Sequence, residues 1–228
     1  METISQKNDI VVSLKDIKKE FLGFSVLKGI NLDINRGELV SISGHSGSGK
    51  STILRIMQLI ETPDSGKVEI FGNDPTKLSL NQKNRLVSRN IGIGFQSPML
   101  LGNHSVWDNI MLPQKSRNHI PSSENVLSLM NEFGLDYTTK RKQLASTLSG
   151  GEQMKVALIR TLVSQPGLVL LDEPTSAIDS VGTTQIFKGL KNIVLEQGIS
   201  VVAVNHDSDL TRQYCDREIV VESGRIVC

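Results

Sequence analysis

The chain has 228 residues, with 25 Lys+Arg against 24 Asp+Glu and a formal net charge of +1. That length suits one large domain or a core with a smaller lobe, and the balanced charge excludes the dense basic footprint of a nucleic-acid binder. One Trp, two Tyr and two Cys leave little for base-stacking platforms and nothing for a disulfide scaffold, so a reducing setting is expected.

The opening residues 1–9 are polar and lack the apolar core of a signal peptide. No stretch approaches the roughly 18 apolar residues of a membrane span. Membrane association is therefore expected only through a partner. Residues 10–14 and 26–34 carry strand-like apolar runs, and 35–37 (Asn-Arg-Gly) make a turn before a strand at 38–43. Residues 52–60 read as a helix, 62–66 as a turn and 67–71 as a half-exposed strand. From about 98 to 164 the pattern is mainly helical. A helix starts near 106–110. Another at 124–133 has Pro121, Ser122 and Ser123 as start signals and Gly134 as its stop. Alternation of strand and helix then returns: a buried strand at 168–171, a helix at 184–196 closed by Gly198, a strand at 199–204, a short helical stretch at 211–214 and a strand at 218–221. Gly224 turns the chain into a last short strand. The expected fold class is α/β, with a largely parallel sheet covered on both faces.

Three motifs carry chemistry. Gly44-His45-Ser46-Gly47-Ser48-Gly49-Lys50-Ser51-Thr52 fits G-x-x-x-x-G-K-[ST] in full, between a predicted strand and a predicted helix. Such a loop wraps phosphate with backbone N–H groups at the positive end of the helix. Lys50 is placed to reach the β- and γ-phosphates, and the Ser51 hydroxyl to ligate Mg²⁺. The second motif is the acid pair Asp172-Glu173 closing the buried strand, where α/β sheets bind ligands. Asp172 suits Mg²⁺, directly or through water, and Glu173 suits polarisation of an attacking water. Asp179, further along that loop, is open to two readings, a helix cap or a bridge to a partner. The third motif, Leu148-Ser149-Gly150-Gly151-Glu152, opens a long helix without a following G-K-[ST]. It reads equally as an anion site and as a plain helix cap.

These motifs in this order strongly resemble the ATP-binding subunit of ATP-binding-cassette (ABC) transporters, over about residues 11–227. Gly44 to Ser51 matches the Walker A loop, Gln96 the Q-loop glutamine and 148–152 the signature. Residues 168–172 match Walker B, Glu173 the catalytic glutamate, 176–179 the D-loop and His206 the switch histidine. The resemblance implies a P-loop NTPase core of ABC-ATPase type with an N-terminal antiparallel β lobe and an inserted helical lobe. It implies a single domain over 1–228, divided as 1–97 (β lobe and first part of the core), 98–164 (helical lobe with the signature) and 165–228 (second part of the core). It implies ATP hydrolysis with ATP and Mg²⁺, and Ser51, Gln96 and Asp172 around the metal. It implies a head-to-tail, ATP-dependent dimer in which Ser149, Gly150 and Gly151 contact the γ-phosphate held by the other copy. Phe21, with Phe24 as its rival, is the expected adenine-stacking ring. The partner implied is an integral membrane permease, which would hold the chain on the cytoplasmic face of the membrane; no nucleic acid is expected.

The chain departs from the family pattern at Glu152, Lys155, Ile159, Thr161 and Asn205, none of them a catalytic position. The segment 106–113, the Glu-ending signature and the absence of an appended regulatory domain resemble lipoprotein-release and macrolide-export ATPases. An export or mechanotransmission role is therefore expected, with an importer subunit or a soluble ATPase as the alternatives.

Overall fold

The computed structural model describes residues 10–112, 121–176, 178–205 and 207–227. The polar start and His206, both considered above, lie outside the described residues.

Two long strands, β1 (Ile10–Phe21) and β2 (Phe24–Asn35), form an antiparallel hairpin, and β4 (Ser65–Ile70) pairs with β1 on its other side. Leu22 and Gly23 both have positive φ (50° and 84°) and make the tight two-residue turn that pairs Phe21 with Phe24. The separate strand signals at 10–14 and 26–34 are thus the buried parts of two continuous 12-residue strands.

The second sheet has the order β5-β6-β7-β3-β8-β9, comprising β3 (Leu39–Ser43), β5 (Ile91–Gly94), β6 (Leu168–Asp172), β7 (Ser200–Val204), β8 (Arg217–Glu222) and β9 (Arg225–Ile226). All pairs are parallel except β8 with β9. The central strands are buried on both faces, as continuous apolar runs require. Side-chain alternation splits them between two cores. Leu168 and Leu170 of β6 and Val202 and Val204 of β7 face one core with α1 (Lys50–Met57) and the three-stranded sheet. Val169, Leu171, Val201 and Ala203 face the other. There they meet α3 (Val106–Met111), α4 (Ser123–Glu132), α6 (Gly150–Leu162) and α7 (Ser180–Gln197). This is the α/β class with an antiparallel β lobe and an inserted helical region, as expected.

Local boundaries differ from the pattern reading in instructive ways. The first helix stops at Met57, not near Ile60, because Leu59 adopts φ 58° and the N–H groups of Leu59 and Ile60 donate back to Ile56 and Arg55. That is the reverse turn usually built on glycine, so the apolar sequence concealed it. Helix α2 (Leu80–Asn90) is absent from the reading above because it is mostly polar and none of its residues is fully buried, only Leu86 and Val87 packing half-buried against the first core. Its start was nevertheless encoded: Ser79 and Gln82 form a reciprocal capping box. The remaining short helices are α5 (Tyr137–Lys140) and α8 (Ser208–Tyr214). Among the described residues no helix is long and apolar enough to cross a membrane.

Burial, reinforced by Asp216, pushes the Cys215 thiol up to about 12. In a Cys228→Ser background, iodoacetamide at pH 8 should therefore alkylate the native protein at least about a hundredfold more slowly than a free cysteine, since only the thiolate reacts. Mass spectrometry of timed aliquots reads this; prompt stoichiometric labelling would contradict the burial.

Candidate functional site

The loop from Gly44 to Gly49 joins the carboxyl end of β3 to α1. The loop closes only because two positions have no side chain. At Gly44 (φ 137°) a Cβ would sit 2.1 Å from the Val221 carbonyl oxygen. At Gly49 (φ 110°), the residue capping α1, it would sit 2.7 Å from Leu27 Cδ2. His45, Ser46 and Gly47 face solvent, whereas Ser48 and Lys50 are buried. Gly224 in the β8–β9 turn donates its N–H to the Ser48 carbonyl at 3.1 Å, bracing the loop from behind.

The loop has the character of an anion cradle. The Lys50 ammonium turns back onto its own loop and donates to the carbonyls of Gly44 and His45, both at 2.8 Å. The Ser48 hydroxyl is buried with no hydrogen-bond partner. A lysine folded on loop carbonyls and an orphaned buried hydroxyl are both groups that an incoming phosphate would satisfy. A cleft of about 320 Å³ opens here, lined by Val26, Ser46, Gly47, Gly49, Lys50, Ser51, Thr52 and Glu173.

The acid pair reaches the same place from β6. Ser51 Oγ donates to Asp172 Oδ1 at 3.4 Å. Burial, with the neighbouring Glu173 charge second, raises the Asp172 carboxyl above its ordinary range. A hydroxyl and a carboxylate oxygen are hard donors suited to Mg²⁺. Among the described residues no three His, Cys, Asp or Glu side chains converge, so a bound Mg²⁺ would take its remaining ligands from phosphate and water. Glu173 follows with φ 47°, a left-handed conformation that a non-glycine residue holds only when its surroundings fix it. Gln96, just beyond β5, donates Nε2 to Glu173 Oε2 at 3.0 Å. Glu173 also borders a second cleft, about 530 Å³, with Thr175, Ser176, Thr183, Asn205, Asp207 and Ser208.

Other expected residues sit apart. Ser149, Gly150 and Gly151 line neither cleft. They form an exposed turn at the start of α6, where Ser149 and Glu152 make a capping box and a Cβ on Gly150 would meet nothing within 4 Å. The turn caps a helix and leaves that helix end exposed. Asp179 caps α7, accepting from the Gly182 N–H at 2.7 Å. Phe21 and Phe24 lie at the hairpin tip, 41% and 77% exposed, and neither lines the cleft; Val26 does. A valine inside a strand gave no signal of this.

The departures from the family pattern have local partners. Lys155, whose ammonium burial makes less basic, donates to Gln185 Oε1 at 2.8 Å. Ile159 fills the second core. Thr161 Oγ1 donates to Ala157 O at 3.0 Å and Ile93 O at 3.3 Å, joining α6 to β5. Buried Asn205 folds its side chain onto Asp207 and Thr211.

The ABC transporter family model matches residues 27–176. The methionine import ATP-binding protein MetN of Haemophilus influenzae is 36% identical over 223 residues, covering 95% of this chain and 64% of that protein. Its counterpart from Cupriavidus pinatubonensis is 37% identical over 225 residues, with the same coverages. The chain thus spans under two thirds of these relatives, at 64% of their length. Among solved structures, the dimeric post-hydrolysis state of the ATP-binding cassette MJ0796, bound to ADP and Pi, superposes with a TM-score of 0.84 at 32% identity, over 95% of this chain and 97% of that one. CbiO1 from Clostridium perfringens, part of the ABC transporter complex cbiONQ, gives a TM-score of 0.85 at 30% identity, over 96% of this chain and 88% of that one. These relatives correct one expectation. The resemblance to lipoprotein-release and macrolide-export ATPases does not hold, because the similar curated proteins are methionine import ATP-binding proteins. With a family model over residues 27–176 and relatives at least 30% identical matched over 95% of its length, the chain belongs to the ABC transporter family.

Proposed function

We propose that this chain is the ATP-hydrolysing subunit of an import system, acting as a dimer of two cassettes that drives a separate membrane-spanning permease from the cytoplasmic face. One observation carries the reading: Lys50, Ser51 and Glu173 line one cleft, Asp172 and Gln96 are hydrogen-bonded to Ser51 and Glu173 beside it, and the signature turn stands open outside it. A single chain therefore presents two half-sites that a second copy, head to tail, would complete. The dimeric MJ0796 structures and the importer relatives support this arrangement.

In this mechanism the loop amides and Lys50 bind the β- and γ-phosphates, with Lys50 exchanging its two loop carbonyls for phosphate oxygens. Ser51 and Asp172, with Gln96 nearby, would hold Mg²⁺, which would supply positive charge to offset that of the phosphates. Glu173 accepts a proton from the attacking water, and the Gln96 amide holds its carboxylate in place. His206 contacts the γ-phosphate, Phe21 stacks on adenine from the hairpin tip, and Asp179 both caps α7 and faces the partner copy. Ser149, Gly150 and Gly151 close over the nucleotide of the other copy, so binding drives association and hydrolysis releases it.

Solubilisation of native membranes and identification of what co-purifies with the subunit tests the import assignment. A compact permease together with a solute-binding protein is expected. A partner with a large extracytoplasmic domain, or no membrane partner despite ATP-dependent dimerisation, would overturn it.

A further inference from the structure

The signature turn carries a charge that its proposed task opposes. Glu152 is the third residue of α6, so an ionised carboxylate sits within one turn of amides meant to meet a phosphate. The helix end itself favours that ionisation. Lys140, the last residue of α5, answers it: its Nζ lies 2.7 Å from Glu152 Oε1, with both side chains about three-quarters shielded (27% and 28% exposed). The other carboxylate oxygen, Oε2, accepts the Ser149 N–H at 2.9 Å, and the Glu152 N–H donates to Ser149 Oγ at 3.3 Å. One carboxylate is thus divided between a cation and the turn. Helix geometry leaves the amides of Gly150 and Gly151 without intrahelical acceptors.

Lys140 is itself held firmly. Asp136 caps α5 through the Thr138 N–H at 2.9 Å. The next residue, Arg141, lays its guanidinium 4.5 Å from the Trp107 ring centroid and 5.3 Å from that of Tyr137. Its carbonyl accepts the Trp107 N–H at 3.1 Å, tying the end of α5 to α3. An exposed lysine on a free helix would gain little from a carboxylate, but this one has its backbone fixed at the pairing distance.

We propose that Lys140 is a positioning residue for the signature turn, neutralising Glu152 and fixing it on Ser149 so that the free amides of the turn donate to the γ-phosphate bound by a second copy. This rests on the reading that the turn engages nucleotide across a dimer. Lys140 touches no substrate; it acts through Glu152. Replacing it leaves the phosphate-loop cleft untouched but sets an uncompensated negative charge beside incoming triphosphate.

The test uses the Glu173→Gln chain, in which ATP-driven dimers accumulate, and reads the ATP concentration for half-maximal dimerisation by analytical ultracentrifugation. Lys140→Met should raise that concentration roughly threefold to tenfold, and Lys140→Arg should restore it. In wild-type background, Lys140→Met should raise KM for ATP by a similar factor, with kcat within about twofold and the melting temperature nearly unchanged. With Glu152→Gln already present, Lys140→Met should have no further effect, because no charge remains to neutralise. An equal Lys140→Met penalty with or without Glu152→Gln, or no penalty at all, would overturn the assignment. Ser149→Arg serves as the control for the underlying reading. If it leaves ATP-driven dimerisation intact, the signature turn does not engage nucleotide and both fall. If it blocks dimerisation while Lys140→Met changes nothing, only the role of Lys140 falls.

Discussion

Glu173→Gln should lower steady-state ATP turnover by roughly 10²- to 10⁴-fold, the usual span for a lost general base, while leaving ATP binding intact. Glutamine keeps the size and planarity of the side chain and can still pair with Gln96, now 3.0 Å from the carboxylate. It cannot take a proton. The left-handed φ of 47° is a backbone property that the exchange does not disturb. Glu173 borders both the phosphate-loop cleft and the neighbouring cleft, so its side chain stands where water would meet the γ-phosphate. A protein that binds but does not cleave ATP should accumulate as a nucleotide-bound dimer, read by light scattering after gel filtration in ATP. Turnover within tenfold of wild type would remove Glu173 from the chemistry.

Lys50→Ala and Gly44→Ala should both abolish useful ATP binding, but for different reasons that one pair of measurements separates. The Lys50 ammonium makes two 2.8 Å bonds to loop carbonyls, which a phosphate would replace with charge-assisted ones. At about 1.5–3 kcal/mol for a hydrogen bond to a charged group, the loss amounts to roughly a hundredfold or more in Kd. The fold should survive Lys50→Ala, because the side chain joins no apolar cluster. Gly44→Ala instead drives a methyl group to 2.1 Å from the Val221 carbonyl, which is backbone and cannot rotate away. It should destabilise the protein by about 2 kcal/mol or more and prise β3 from β8 just where the loop begins. Calorimetric titration with ATP and thermal denaturation, run on both variants, check this. An unchanged melting temperature in Gly44→Ala would refute the steric argument; ATP affinity within tenfold of wild type in Lys50→Ala would refute the electrostatic one.

Much of the fold was legible because its central strands are apolar on both faces. Runs such as Leu168-Val169-Leu170-Leu171 admit few alternatives, and the glycine, lysine and acid motifs sit at their carboxyl ends. What escaped was structure that is mostly polar with no fully buried residue, as in α2, or structure using an unusual residue, as at Leu59. The failed resemblance to export-type ATPases has a physical source too. The segment 106–113 resembles export-type ATPases in sequence. In α3, however, Val106, Asn109 and Ile110 are fully buried. The Asn109 side chain satisfies both the N–H and the carbonyl of Leu101. Such residues answer to the protein's own interior and carry no information about which way cargo moves. The convergence of Gln96 on Glu173 was legible only through family resemblance, since 77 residues separate them in sequence.

The splitting of β6 and β7 between two cores bears on how this molecule comes apart. Each strand supplies alternate side chains to the α1 side and to the helical side, so the two halves share one sheet, a face each. Cutting the chain between the regions would strip an apolar surface from whichever piece kept the strands. Melting should therefore be concerted, and a blow to either side should loosen the acid pair that closes β6. A sequence change deep among the helices can thus silence nucleotide chemistry without approaching it.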